Sequence, residues 1–227
     1  MNILGIDASN KGVLIVLKKD DSIYYKENFE KNSGSYIISM INSVLKENYI
    51  CTDDIDLFGC TIGPGSFTGI RISIASIQGL LFRKKKKVVP LISTDLLYSS
   101  YNTNNNSSQQ IAILKRARVD AAYVNIFENN KSTFGPELVH VDDLTVLLKK
   151  DTILLGEESL YFKEKLNLDN RVEIANISPE SFVNYIEKNR ELSVLPEDLK
   201  VLYLQKPLAV ENFEKKNNVN INKDIYN

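Results

Sequence analysis

Gly63-Pro64-Gly65-Ser66-Phe67-Thr68-Gly69-Ile70-Arg71 stands between an apolar run at 55–62 and an amphipathic stretch that continues to about residue 82. Glycines and a proline between a strand pattern and a helix pattern mark a tight strand–turn–helix junction, with Ser66 or Thr68 available as the helix cap. The same arrangement leaves amides at a helix start, and such amides can hold an anion. On the residues alone, a rigid junction and an anion cradle both stay open.

Outward from this junction the chain alternates. Upstream, residues 3–7, 12–17 and 22–29 read as strands and 35–48 as a helix; downstream, 88–92 reads as a strand. A second series repeats the order. Strand patterns at 111–114, 121–127 and 131–140 lead into helical patterns at 142–150, 158–166 and 179–189, with short strands at 153–155 and near 172. Ser178-Pro179 is a cap followed by a first-turn proline. Each half opens with three strands and goes on in alternating helix and strand, which predicts an α/β fold: a duplicated unit, two lobes, each a mixed sheet flanked by helices. The Asn- and Ser-rich stretch 102–110 is the expected seam. It sets a first lobe at 1–103, a second at 104–206 and a polar tail at 207–227, the tail poorly ordered unless it packs back.

Composition narrows the function classes. Of 227 residues, 43% are apolar and 25% charged, and the net charge is −1, an ordinary globular balance. A chain that gripped nucleic acid alone would carry a basic footprint, so any RNA role is expected to be shared with a partner. No apolar run approaches the roughly 20 residues of a membrane span. Met1 to Asp7 runs straight into a strand rather than a secretory leader, and two cysteines, Cys51 and Cys60, lack metal-type spacing. The expected location is the cytoplasm. His140 is the sole histidine, too few for a histidine-built metal site, and reads as a surface or capping residue.

The two helices of the first half carry more apolar surface than one sheet needs. At roughly 100° per residue, Tyr36, Ile37, Ile38, Met40, Ile41, Val44 and Leu45 cover an arc of about 200°. The second helix has two stripes, Ile70, Ile74, Ile77 and Leu81 on one side and Ile72, Ala75, Gly79 and Phe82 on the other. Either both helices are buried between lobes, or one stripe faces the sheet and the other a second protein. The interface expected here comprises Tyr36, Ile37, Met40, Ile70, Arg71, Ile74, Ile77, Gln78 and Leu81. The basic run Arg83 to Lys87 complements the helix dipole as a solvated cap, with a contact to a nucleic-acid phosphate backbone as the alternative.

As a string, the glycine-rich segment resembles the hallmark of the TsaB family (once called YeaZ). Ile3-Leu4-Gly5-Ile6-Asp7-Ala8-Ser9, Leu91-Ile92-Ser93-Thr94, Gly156-Glu157-Glu158 and Tyr203-Leu204 are similar to further family motifs, and Arg118 fits. The sequence departs at Arg116, where the family has an acidic residue, at Ala121, where it has Glu, and at Gln205, where it has Arg. The resemblance implies a duplicated ribonuclease H-like fold of the actin-like ATPase superfamily. Enzymes of that superfamily wrap ATP phosphates with Asp-x-Gly-x-Thr/Ser hairpins. The corresponding Asp7-Ala8-Ser9-Asn10-Lys11 has no glycine, so Asp7 is expected to be a relic that caps its turn, a catalytic or metal-bound role being the alternative.

The resemblance also implies a function, that of a non-catalytic scaffold and activator. The chain would bind the catalytic TsaD through first-lobe helices, with TsaE completing the assembly and tRNA engaged indirectly, in attaching threonylcarbamoyl to the adenosine beside the anticodon. It would have no cofactor of its own, ATP and metal residing on the partner subunits, and when alone it could pair as a homodimer. The rivals are an ATP-dependent actin-like kinase with Asp7 as base, and a glycoprotease-like peptidase, which would have only His140 to activate a serine.

Overall fold

In the computed structural model, residues 1–30, 33–102, 109–206 and 208–220 are described. The expected seam lies outside these residues at 103–108. Among the described residues, ten strands form two five-stranded sheets. The first contains β1 (Ile3–Asp7), β2 (Val13–Lys19), β3 (Ser22–Asn28), β4 (Leu57–Gly63) and β5 (Val88–Ile92), in the order β3-β2-β1-β4-β5. The second contains β6 (Ile111–Arg118), β7 (Ala121–Glu128), β8 (Lys131–His140), β9 (Ile153–Leu155) and β10 (Val172–Glu173), in the order β10-β9-β6-β7-β8. In each sheet the first three strands pair antiparallel and the later two parallel. Numbered within its own set, the second sheet repeats the first, so the duplication expected from the strand pattern is present.

Helix α1 (Ile37–Glu47) and α2 (Phe67–Leu80) cover one face of the first sheet, where Ile37, Ile41, Val44, Ile70 and Ile77 join Leu4, Ile6, Ile15 and Phe58 in one core. In the second lobe, α4 (Val141–Leu147) and α5 (Glu158–Leu166) close one face of the sheet through Leu144 and Phe162. A helix that the sequence pattern does not reveal is α3 (Ser93–Asn102). It runs from one lobe into the other: Leu96 packs with Ile3, Val89 and Leu91 of the first sheet, while Leu97 and Tyr98 pack with Ile111, Ile113 and Phe127 of the second. A helix buried on two sides shows no single apolar stripe, and its Ser, Thr and Asn content reads as loop. Asn125 of β7 adds a polar tie by donating to the Thr94 hydroxyl and the Asp95 carboxylate (2.9 and 2.7 Å).

The chain then crosses back. Helix α6 (Pro179–Lys188), capped by Ser178 with Pro179 in its first turn, inserts Phe182, Val183 and Ile186 against Ile3, Val16, Leu57 and Val89 of the first sheet. Val194 bridges Val88, and the Leu202 amide donates to the Ile62 carbonyl at 2.9 Å. The second lobe, expected to run from 104 to 206, is therefore revised at its far end: the segment from α6 to about residue 202 packs on the first lobe, where with Leu96 of α3 it covers the sheet's second face. Part of the tail is ordered as well. Helix α7 (Leu208–Asn217) lies in the tail, for which packing back was one of the two expectations, and a Lys206–Glu214 ion pair of 2.6 Å ties it to the preceding segment.

Candidate functional site

The glycine-rich segment sits directly on the β1–β2 hairpin. A Cβ on Gly65 would fall 2.1 Å from the Ser9 carbonyl oxygen, and one on Gly69 would fall 2.2 Å from that of Ala8. Gly65 also has φ +148°, a conformation that side chains disfavour. Ser66 is the helix cap, its hydroxyl accepting from the Gly69 amide at 3.2 Å. The Ser66 amide donates to the Ser9 carbonyl at 2.7 Å, and the Ile70 amide to the Ser66 carbonyl at 3.0 Å. With the Ser66 and Gly69 amides engaged inside the protein and both glycines against the hairpin carbonyls, the segment has the close packing of a rigid junction. Asp7 is buried and accepts from the Ser9 amide at 2.9 Å, the geometry of a turn cap.

Opposite this hairpin lies a residue that sequence reasoning does not single out. Lys115, near the end of β6, is fully buried between the lobes. Its Nζ reaches the Ser9 hydroxyl (3.3 Å), Asn10 Oδ1 (3.0 Å), the Pro64 carbonyl (3.3 Å) and the Ser93 hydroxyl (3.1 Å). The Ser93 hydroxyl in turn donates to the Pro64 carbonyl. Burial holds the Lys115 pKa below the ordinary lysine value, while the charges of Asp7 and Glu158 pull it up. The available signal is parity: along β6, Ile111 and Ile113 face the core between the lobes, and Lys115 continues their side of the strand. Next to it the Arg116 amide donates to Glu158 at 2.6 Å, so the Gly156-Glu157-Glu158 turn fastens the second hairpin. The Arg116 guanidinium lies 4.8 Å over the Tyr161 ring.

The expected interface requires correction at most of its positions. Ile70, Ile74, Ile77 and Leu81, together with Ile37 and Met40, are buried in the first lobe's own core. The bulkier stripe of α2 fills the volume over the sheet, and the smaller stripe turns outward. Exposed on that outer side are Ala75, Gly79 and Phe82, the last at 72%; at the start of α1, Tyr36 (45%) and Ile38 (43%) are exposed as well. Arg71 and Gln78 flank the outer stripe but are engaged within the chain. Arg71 donates to the Tyr203 hydroxyl (2.7 and 3.0 Å) with its guanidinium 3.7 Å from the Phe67 ring centre. Gln78 donates to the carbonyls of Pro196 and Leu199 (3.0 and 3.2 Å). Phe67, Arg71, Tyr123 and Tyr203 help to line a groove of about 570 Å³ at the start of α2.

The basic run is partly structural. Lys84 pairs with Asp53, and Lys86 donates to the carbonyls of Asp53 and Ile55 at 2.7 Å each. His140 caps α4, its Nδ1 accepting from the Asp142 amide at 3.4 Å, with the Asp120 and Asp142 carboxylates at 3.7 and 3.2 Å. Among the described residues, no three His, Cys, Asp or Glu side chains converge as a metal site, and no helix is long and apolar enough to cross a membrane.

Comparison with known proteins agrees with this architecture. Residues 27–210 match the family model described as "TsaD: tRNA N6-adenosine threonylcarbamoyltransferase". The chain is 29% identical over 182 residues to the tRNA threonylcarbamoyladenosine biosynthesis protein TsaB of Buchnera aphidicola subsp. Schizaphis graminum, covering 72% of this chain and 85% of that one. It is 28% identical over 129 residues to the TsaB of Buchnera aphidicola subsp. Baizongia pistaciae, where the match spans 56% of this chain and 58% of the relative's length. The solved structure of YeaZ from Pseudomonas aeruginosa superposes with a TM-score of 0.73 at 18% identity, covering 89% of this chain and 99% of that one. The duplicated fold, the family model across most of the chain and the TsaB relatives converge: this chain belongs to the TsaD-type threonylcarbamoyltransferase family, on its TsaB (YeaZ) branch.

Proposed function

We propose that this chain is a non-catalytic subunit in the formation of threonylcarbamoyladenosine on tRNA, pairing with a catalytic TsaD relative and aligning it for transfer. The observation that carries this reading is the closed first hairpin. Where a kinase-like member would need open backbone to wrap phosphates, Gly65 and Gly69 press against the Ser9 and Ala8 carbonyls, and Asp7 caps its own turn. That packing disfavours the kinase reading. The peptidase reading needs a serine hydroxyl against His140, whereas the contacts described for His140 are the Asp142 amide and the Asp120 and Asp142 carboxylates. Chemistry requiring ATP and metal then belongs to the partners, TsaD and, in the ternary assembly, TsaE, with tRNA reached through them and the cytoplasm as the site of action.

The outer faces of the first-lobe helices supply the docking surface, with Phe82, Ala75, Gly79, Ile38 and Tyr36 in place of the buried stripe. An exposed apolar patch of this kind is what an interface requires, and a second copy could use it when the catalytic partner is absent.

Two measurements test the reading together. Titration calorimetry of the isolated chain with Mg-ATP is expected to give no saturable heat, and a TsaD relative from the same host is expected to transfer threonylcarbamoyl to tRNA faster when the chain is added. One-to-one nucleotide binding with turnover that disappears in Asp7→Ala would overturn the scaffold assignment. An unchanged transfer rate would overturn the assignment to this modification.

A further inference from the structure

Lys115 is at first sight an unfavourable residue for its place. A buried ammonium loses its hydration and is tolerated only where oxygen partners surround it. Here they do, and they come from separate parts of the chain. Ser9 and Asn10 belong to the β1–β2 hairpin, Pro64 to the glycine-rich junction and Ser93 to the start of α3, while the lysine arrives from β6 of the other lobe. Ser9 and Ser93 are themselves buried. Hydroxyl, amide and carbonyl oxygens, with the carboxylates of Asp7 and Glu158 acting through space, form the donor set of a small hard cation.

We infer that the junction between the lobes is a cation site built from hard oxygens, and that its resident ion is the chain's own Lys115 ammonium. The ion that joins the lobes is then covalently part of the second sheet, and this contact between them needs no diffusible ligand. This inference does not depend on which partner the protein serves. It assigns to Lys115 a positioning role that sequence position alone does not suggest. It also predicts a latent specificity: with the side chain removed, the oxygens that hold Nζ should select a primary ammonium.

The test is Lys115→Ala in the full chain. Truncation at Cβ removes three carbons and a nitrogen, the shape of n-propylammonium. The variant is expected to melt about 5 °C or more below wild type. Tens of millimolar n-propylammonium chloride should restore about half of that loss in a concentration-dependent manner, because a ligand of the folded state raises its melting point. Wild type should not respond. Tetramethylammonium chloride, of equal charge but too bulky to enter, and n-propanol, of similar shape but uncharged, serve as controls. A variant that melts like wild type overturns the inference, as does failure of n-propylammonium to restore stability or equal restoration by n-propanol.

If Lys115→Ala does not fold, Lys115→Met keeps the stem and removes the ion. Hydrogen exchange is then expected to quicken at the amides of residues 8–11 and 115–118 while the core of α1 stays protected. Unchanged exchange at those two hairpins overturns the inference equally.

Discussion

Gly69 and Gly79 share helix α2 and have opposite requirements. At Gly69 a methyl group would meet the Ala8 carbonyl at 2.2 Å, so the helix start or the first hairpin must move. Gly69→Ala is expected to destabilise the protein by about 1–3 kcal/mol, the usual cost of forcing atoms into packed structure. At Gly79 a Cβ would meet nothing within 4 Å. Gly79→Ala should therefore stabilise the free chain by up to about 1 kcal/mol through helix propensity alone, while the added methyl should weaken docking of a partner helix on that face. Thermal melts of both variants beside wild type check the first pair of outcomes, and a partner titration checks the last. A stabilising Gly69→Ala would show that the junction does not depend on close backbone approach. At this scale the sequence is legible where a residue's backbone role is encoded in its type: the Ser66 cap, the Ser178-Pro179 start and the tight junction follow from local chemistry. Lys115 is not legible in the same way. Its role depends on what faces it across the lobes, and no local pattern records the positions of Ser9, Asn10, Pro64 and Ser93 relative to β6.

The helices show where pattern reading reaches its limit. Two apolar stripes on α2 are visible in the sequence, but the structure reverses the expectation of which one meets the sheet. Side-chain volume is the physical discriminator. Ile70, Ile74, Ile77 and Leu81 can fill the space over a sheet, whereas Ala75 and Gly79 cannot, and the polar Arg71 and Gln78 lie toward the outer stripe. Neighbouring residues of one helix now predict opposite outcomes. Ile74→Glu places a charge in the core formed with α1 and β4, at an expected cost of roughly 3 kcal/mol or more, and should collapse the melt. Ala75→Glu, on the exposed side, should leave the melting temperature within a degree or two of wild type and abolish association with the catalytic partner. A pull-down paired with a melting curve separates the two. Retained binding by a well-folded Ala75→Glu variant would remove the outer face of α2 from the interface. The strand pattern, by contrast, is legible almost throughout, because alternation and apolar runs are local and ten short strands leave little room for misassignment. Helix α3 escapes because burial between two sheets erases the one-sided pattern on which such reading relies.

At the scale of the whole molecule, two copies of one sheet topology are joined more closely than a tandem repeat requires. The chain leaves the first lobe through α3, builds the second, and returns with α6, Val194 and Leu202 to complete the first. This return has an energetic consequence. Burying a side chain the size of Phe182, Val183 or Ile186 contributes about 1.5–3 kcal/mol, so the three together contribute on the order of 5–9 kcal/mol, comparable to the net stability of an entire domain. A fragment ending at residue 103 contains every strand of the first sheet but leaves Ile3, Val16, Leu57 and Val89 without Phe182, Val183 and Ile186 on one face, covered there by Leu96 of α3 only in part. Such a fragment, expressed alone, is expected to bind a hydrophobic dye and to lack a cooperative melt. Co-expression with residues 177–206 should restore both solubility and cooperativity, because the missing layer is a contiguous segment. In the intact chain the same coupling predicts a single unfolding transition by calorimetry, with Phe182→Ala lowering it as one peak by about 3–5 kcal/mol of stability rather than splitting it. If 1–103 folds cooperatively by itself, or if Phe182→Ala separates two transitions, the lobes are independent domains. Their relative placement would then have to be fixed by α3 and by the polar contacts at Lys115 and Asn125.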